Sequence, residues 1–151
     1  MLEKGYQLEG IDGVQYMYHD PCHTPMKTHK PQDVVSGLMG RDVPLNDRCC
    51  GEAGTFAVSR PDIATQVRFR KEEEINSGLT EITGKPTTDK GKVKMLTSCP
   101  ACLQGLSRYE DDTGVEADYI VVEIANHLLG KDWQSRFVDQ ARSGGIEKVL
   151  L

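Results

Sequence analysis

The chain has 151 residues, 38% of them hydrophobic and 27% charged, with a formal net charge of −5. That length supports one domain with one core, and the composition is that of an ordinary soluble globule. The acidic balance offers no basic stripe to meet phosphates, which argues against a nucleic-acid partner, and no apolar run reaches the length of a membrane span.

Residues 1–13 are polar and glycine-punctuated and lack the apolar core of a signal peptide, so they read as a lead-in cut from a longer, cytoplasmic protein. The domain proper is expected over 14–151. Val14 to His19 is rich in β-formers and predicts a strand, ended at Asp20-Pro21 because proline has no N–H to extend a ladder. Thr28 to Gly40 predicts a short helix, and Asp42 to Asn46 a second strand. Ser59-Arg60-Pro61-Asp62 reads as a helix start with Ser59 as cap, the helix running to about Asn76 and stopping at Gly78. Ser77 to Lys92, with three glycines and a proline, predicts a long exposed loop. Lys92 to Thr97 predicts a third strand, Pro100 to Tyr109 a helix, and Ala117 to Val121 a fourth strand. Val122 to Leu129 and Trp133 to Arg142 predict two more helices. Alternating strand and helix predict an α/β fold, Rossmann-like, with a mostly parallel four-stranded sheet flanked by helices.

All five cysteines fall in one pattern: Cys22, then Cys49-Cys50-Gly51, then Cys99-Pro100-Ala101-Cys102. Each stretch lies just past the carboxyl end of a predicted strand, and open parallel sheets gather their ligands in the crevice at that edge. Gly51 and Gly54 would let backbone N–H groups approach sulfur. Cys99 and Cys102 sit one turn apart at a helix start, where free N–H groups favour thiolates. His23, next to Cys22, is a candidate hydrogen-bond donor to sulfur, with a turn histidine satisfied by backbone as its equal rival. His19 reads as a residue that ends a strand. Glu52 reads as an aid to the turn, Glu72-Glu73-Glu74 as a solvated helix face, and Tyr16, Tyr18, Tyr119 and Phe137 as core. In a reducing compartment clustered cysteines favour metal or redox chemistry over disulfides. On the residues alone three readings stay open: a shared iron–sulfur or metal site, a structural zinc site, and thiol–disulfide exchange by Cys99 and Cys102.

The strings His-Asp-Pro-Cys-His (19–23), Cys-Cys-Gly (49–51) and Thr-Ser-Cys-Pro-Ala-Cys (97–102) resemble the signatures of the cysteine-rich CCG domain family. That family includes the cysteine-rich component of heterodisulfide reductases, iron–sulfur subunits of glycolate, lactate and glycerol-3-phosphate oxidoreductases, and C-terminal segments of large FAD-linked oxidases. The resemblance implies an iron–sulfur cluster, [4Fe–4S] or non-cubane, held by Cys22, Cys49, Cys50, Cys99 and Cys102, with zinc as the substitute in protein made in air. It implies a flavin-bearing dehydrogenase partner oxidising a 2-hydroxy acid, a second iron–sulfur domain, and a cytoplasmic place, peripheral at the inner face of the membrane through those partners. FAD would bind only in the partner, since no Gly-x-Gly-x-x-Gly follows a strand here, and the fragment alone would not turn over substrate. The Cys50–Cys99 gap is longer than the family's usual one, and the extra length is expected in the Ser77–Lys92 loop. The end, 144–151, resembles the C-terminus of the FAD-linked oxidases.

Overall fold

The computed structural model describes residues 13–52 and 54–144. Almost all of the lead-in and of the segment likened to an oxidase C-terminus lies outside the described residues.

Three short strands form the sheet: β1 (Gln15–Tyr18), β2 (Val93–Thr97) and β3 (Glu116–Tyr119). They run parallel in the order β1-β2-β3, with Met17 beside Met95 and Met95 beside Ala117. Helices connect them: α1 (Pro31–Met39), α2 (Phe56–Ser59) and α3 (Pro61–Thr83) before β2, then α4 (Pro100–Leu106) and α5 (Glu110–Thr113) before β3. α6 (Ile120–Leu129) follows β3 directly, and α7 (Trp133–Gly144) comes last. None of these helices is long and apolar enough to cross a membrane.

The period-two alternation of the strands sorts the core into two layers. Met17, Val93 and Met95 point to one face, where they pack with Ile75 and Leu79 of α3, Cys102 and Leu106 of α4, and Cys50. Tyr16, Tyr18 and Leu96 point to the other, with Val35 and Met39 of α1 and Ile120 of α6. Tyr16 and Tyr18 are buried as expected, whereas Phe137 on α7 is exposed.

The sheet has three strands, not four. The expected strand at Asp42 to Asn46 makes only a single parallel bridge, Tyr18 to Leu45. Tyr18 N donates to Pro44 O at 3.0 Å and Asn46 N donates to Tyr18 O at 2.7 Å. Pro44 has no N–H, so a continuous ladder cannot form there.

The α3 helix also departs from expectation. It passes through Gly78 and ends at Gly84, whose left-handed φ of 77° closes the last turn. Gly78 serves close packing instead: a Cβ there would sit 2.8 Å from Met17 Sδ. A helical glycine costs about 1 kcal/mol against alanine, which contact between α3 and the sheet offsets. The expected loop thus shrinks to 84–92, and α3 absorbs much of the Cys50–Cys99 gap. Ser59 does not cap α3. It ends α2, and its hydroxyl donates to Thr55 O at 3.0 Å.

Candidate metal centre

Parallel strands bring their carboxyl ends to one edge, and the cysteines follow from that. β1 runs out at Tyr18 into His19-Asp20-Pro21-Cys22, and β2 runs out at Thr97 into Ser98-Cys99. The bridged segment around Leu45 leads into Cys49 and Cys50. Cys99 stands at the N-cap position of α4, whose first turn carries Cys102.

The side chains meet there. Cys50 and Cys102 are buried, with their sulfurs 3.4 Å apart. Cys99, half-buried, lies beside Cys102, while Cys22, exposed, lies beside Cys49 and within reach of the Cys50 charge. The structure thus places the predicted cysteines along one edge, buried at the Cys50–Cys102 end and exposed at the Cys22–Cys49 end; among the described residues only Cys50 and Cys102, with His19, stand close enough to share an ion. His23 is on the open side, exposed.

Charge is unevenly shared. The contact with Cys102 holds the Cys50 thiol well below its ordinary range, helped by the nearby His19 ring and the Glu52 backbone. The same contact, with burial, pushes Cys102 far up, so one proton serves two sulfurs and the thiolate falls on Cys50. Burial, then the Cys49 charge, raises Cys22.

His19, missed as a site residue in the sequence, reaches this centre. One of its ring nitrogens and the Cys50 and Cys102 sulfurs all lie within 4.8 Å of one another. It is 1% exposed. Its Nδ1 is 2.9 Å from Asn46 O and 3.1 Å from Lys71 Nζ, while Nε2 has no hydrogen-bond partner among the described residues. Lys71 is also missed: it is fully buried beneath the cysteines, donating to Glu74 Oε2 at 2.8 Å and Asn46 O at 2.9 Å. Burial pulls its ammonium below the usual lysine range, and Glu74 opposes that pull.

Glycines shape the backbone around the sulfurs. Gly51 takes a left-handed φ of 74°, and its N–H donates to Cys49 Sγ at 3.4 Å. Gly54 is also left-handed, at 54°, with open space where a Cβ would stand. Gly105 of α4 was not anticipated. A Cβ there would stand 2.9 Å from Glu52 Cβ and 3.3 Å from Cys50 O, so only glycine lets α4 lie against the Cys50–Glu52 turn. Its signal was its place one turn after Cys102, on the face that carries Cys99 and Cys102. Glu52 accepts from Arg108 Nη2 at 2.7 Å, which fastens the same turn to the chain after α4. Beside exposed Cys49 a cleft of ≈ 520 Å³ opens, lined by Arg48, Val67, Arg70 and Glu73.

These residues fit an iron–sulfur or zinc group. Thiolates are the soft donors such metals take, the orphaned Nε2 of His19 is a buried polar atom beside them, and Gly105 keeps the space around Cys50 free of a side chain.

The comparisons with known proteins agree with that chemistry. The chain is 36% identical over 70 residues to the glycolate oxidase iron–sulfur subunit of Escherichia coli, covering 43% of this chain and 17% of that protein. It is 24% identical over 121 residues to an uncharacterized iron–sulfur protein of Methanococcus maripaludis, covering 74% of this chain and 22% of the relative. It is 25% identical over 122 residues to one of Methanocaldococcus jannaschii, covering 76% and 22%. The chain therefore spans about a fifth of the length of these relatives. No solved structure matches it. A domain of unknown function (DUF3400) matches residues 107–151, and the cysteine-rich domain CCG matches residues 16–107. The match over 16–107 takes in every cysteine and more than half of the chain, and the protein belongs to the CCG cysteine-rich domain family.

Proposed function

We propose that this domain is an iron–sulfur electron-transfer module of a larger flavin-linked oxidoreductase. The cluster, [4Fe–4S] or non-cubane, is held by Cys22, Cys49, Cys50, Cys99 and Cys102, and it supplies one-electron storage when bound. The observation that supports this reading is that Cys50, Cys102 and a ring nitrogen of His19 lie within 4.8 Å of one another at one sheet edge, with Cys99 beside Cys102 and Cys22 beside Cys49.

The residues divide the work. Cys50 and Cys102 anchor the buried end, where Lys71 balances negative charge. Cys22 and Cys49 form the exposed end, beside the cleft lined by Arg48 and Arg70. Electrons passing between protein surfaces need a short path to the site, and the exposed end provides it. Gly51 and Gly54 shape the loop, and His23 borders it.

The similarity to a glycolate oxidase iron–sulfur subunit supports a flavin-bearing dehydrogenase as electron donor and a 2-hydroxy acid as the substrate of the whole assembly. FAD belongs to that partner. A second iron–sulfur domain elsewhere in the assembly, a Rossmann-like arrangement of the sheet, a domain extent of 14–151, and a cytoplasmic place at the inner membrane face complete the reading.

The test is anaerobic reconstitution of the chain, followed by assay of iron, sulfide and zinc. Iron and sulfide in near-equal amounts support the reading, provided Cys50→Ser and Cys99→Ser lose both. Zinc bound tightly with no iron taken up overturns it in favour of a structural site.

A further inference from the structure

We propose that Glu52, clamped by Arg108 and Arg68, is a positioning residue for the metal centre and sets the spacing of Cys50 from Cys102. The inference rests on the reading of that sheet edge as a metal centre.

The need for a clamp follows from the backbone. Cys50 is buried, yet it lies in no helix or strand. Among the described residues, 47–52 make no backbone–backbone hydrogen bond. Cys102, by contrast, is fixed in the first turn of α4. Two sulfurs 3.4 Å apart therefore stand on supports of unequal stiffness. A segment without ladder or helix bonds opens locally at little cost. Holding Cys50 against Cys102 falls to groups outside the backbone of that segment.

Side chains supply the anchors, before and after the cysteine pair. Before it, Arg48 N donates to both carboxylate oxygens of Glu74 at 3.2 Å, and Arg48 Nη1 donates to Arg70 O at 3.0 Å. Both partners belong to α3. After it, Glu52 Oε1 accepts from Arg108 Nη2 at 2.7 Å and Oε2 faces Arg108 Nη1, a forked pair. Arg68 Nη2, on α3, lies 3.9 Å from the same Oε2. One carboxylate thus ties the turn both to α3 and to the residues that follow α4. The Glu52 backbone adjoins the Cys50 sulfur, so the tie acts close to the thiol.

Exposure decides what the clamp does. The Glu52 side chain is 13% exposed, but those of Arg108 and Arg68 are 37% and 35% exposed. Ion pairs this open to water add little to global stability. Metal binding is more demanding, because ligand distances must hold to within about 0.2 Å. Removing an outer residue that orients a ligand typically costs about 10–100-fold in metal affinity. Loss of Glu52 should therefore show in metal binding far more than in unfolding.

The test is a cadmium titration of the reduced, metal-free chain against a competing chelator, with urea unfolding of each variant alongside. Glu52→Ala is expected to weaken cadmium binding about ten-fold or more, with its unfolding midpoint near wild type. Glu52→Gln, which keeps an acceptor for Arg108, is expected to recover part of the loss. Arg108→Gln with Glu52→Ala should lose no more than the larger single loss, since both remove one interaction. Asp62→Asn, which breaks the exposed pair with Arg60 at the start of α3, should leave binding unchanged. Wild-type affinity in Glu52→Ala overturns the proposal, and so do additive losses in the double variant. A fall in affinity matched by a collapsed unfolding midpoint overturns it in favour of a structural role. A chain that binds cadmium in this Glu52-dependent way but takes up no iron refutes the iron–sulfur reading and leaves the clamp standing.

Discussion

Two lysine–glutamate pairs, each with one fully buried partner, lie on opposite faces of the same sheet, and they are finished differently. On the Tyr16 face, Glu123 Oε1 accepts from Tyr16 Oη at 2.7 Å, and Oε2 accepts from Lys94 Nζ at 2.8 Å and Asn126 Nδ2 at 3.3 Å. Burial alone would raise the Glu123 carboxyl, and those donors together hold it below its ordinary range. On the Met17 face, Lys71 meets Glu74 at the same 2.8 Å, but His19 Nε2 and Asn46 Oδ1 have no partners. Buried polar groups are ordinarily satisfied within the protein. The closed cluster pins α6 to the sheet. The open one leaves a polar atom unpaired beside Cys50 and Cys102, where the proposed function places the cluster.

The comparison breaks most sharply with the ligands themselves. Cys50→Ser or Cys102→Ser is expected to reduce iron uptake more than about ten-fold, beyond the loss typical of removing an outer residue. Glu123→Gln should leave the iron content unchanged. Iron and sulfide assay after reconstitution separates the two, and equal loss in both variants would erase the distinction between the faces.

The closed cluster should carry more stability. Glu123→Leu leaves Lys94 and the Tyr16 hydroxyl without their buried acceptor and is expected to cost about 3 kcal/mol in denaturant unfolding. His19→Leu removes a group already lacking one partner and is expected to cost less in the metal-free chain. A larger loss at His19 would make that face structural.

Gly105→Ala sharpens the comparison from the backbone side. Its methyl would stand 2.9 Å from Glu52 Cβ, so α4 and the Cys50–Glu52 turn must part. Overpacking of this kind costs about 1–3 kcal/mol. Iron uptake should fall along with stability, since the same movement separates Cys50 from Cys102. Full iron uptake with unchanged stability would contradict the packing account.

The smallest effect concerns acid. The folded-state carboxyl of Glu123 lies below its unfolded value near 4.5, so the unfolded chain binds more protons in that window. Its contribution is therefore present above about pH 4.5 and is lost as pH falls through the folded value. Stability measured against pH should fall less steeply there in Glu123→Gln than in wild type.

The sequence made the cysteine pattern and most helix and strand positions legible, because strand parity, Pro61, Pro100 and the glycine punctuation are local signals. It misled at Gly78, where helix contact with Met17 outweighed the cost of glycine, and at Asp42 to Asn46, where one bridge stands in for a strand. Lys71 was hidden in the run Arg-Lys-Glu-Glu-Glu, which looks solvated. Its position on the buried stripe of Ala64, Ile75 and Leu79 was the cue. His19 resembled a strand end because nothing local shows that a lysine many residues away will reach its ring.

The central claim is that these five thiols hold a centre able to store an electron. A reductive titration of the anaerobically reconstituted chain, followed by EPR, tests it most directly. The account predicts a reversible one-electron change in an iron-centred signal that Cys50→Ser abolishes. A chain that stays EPR-silent and colourless through the titration, with zinc on its cysteines, would contradict it.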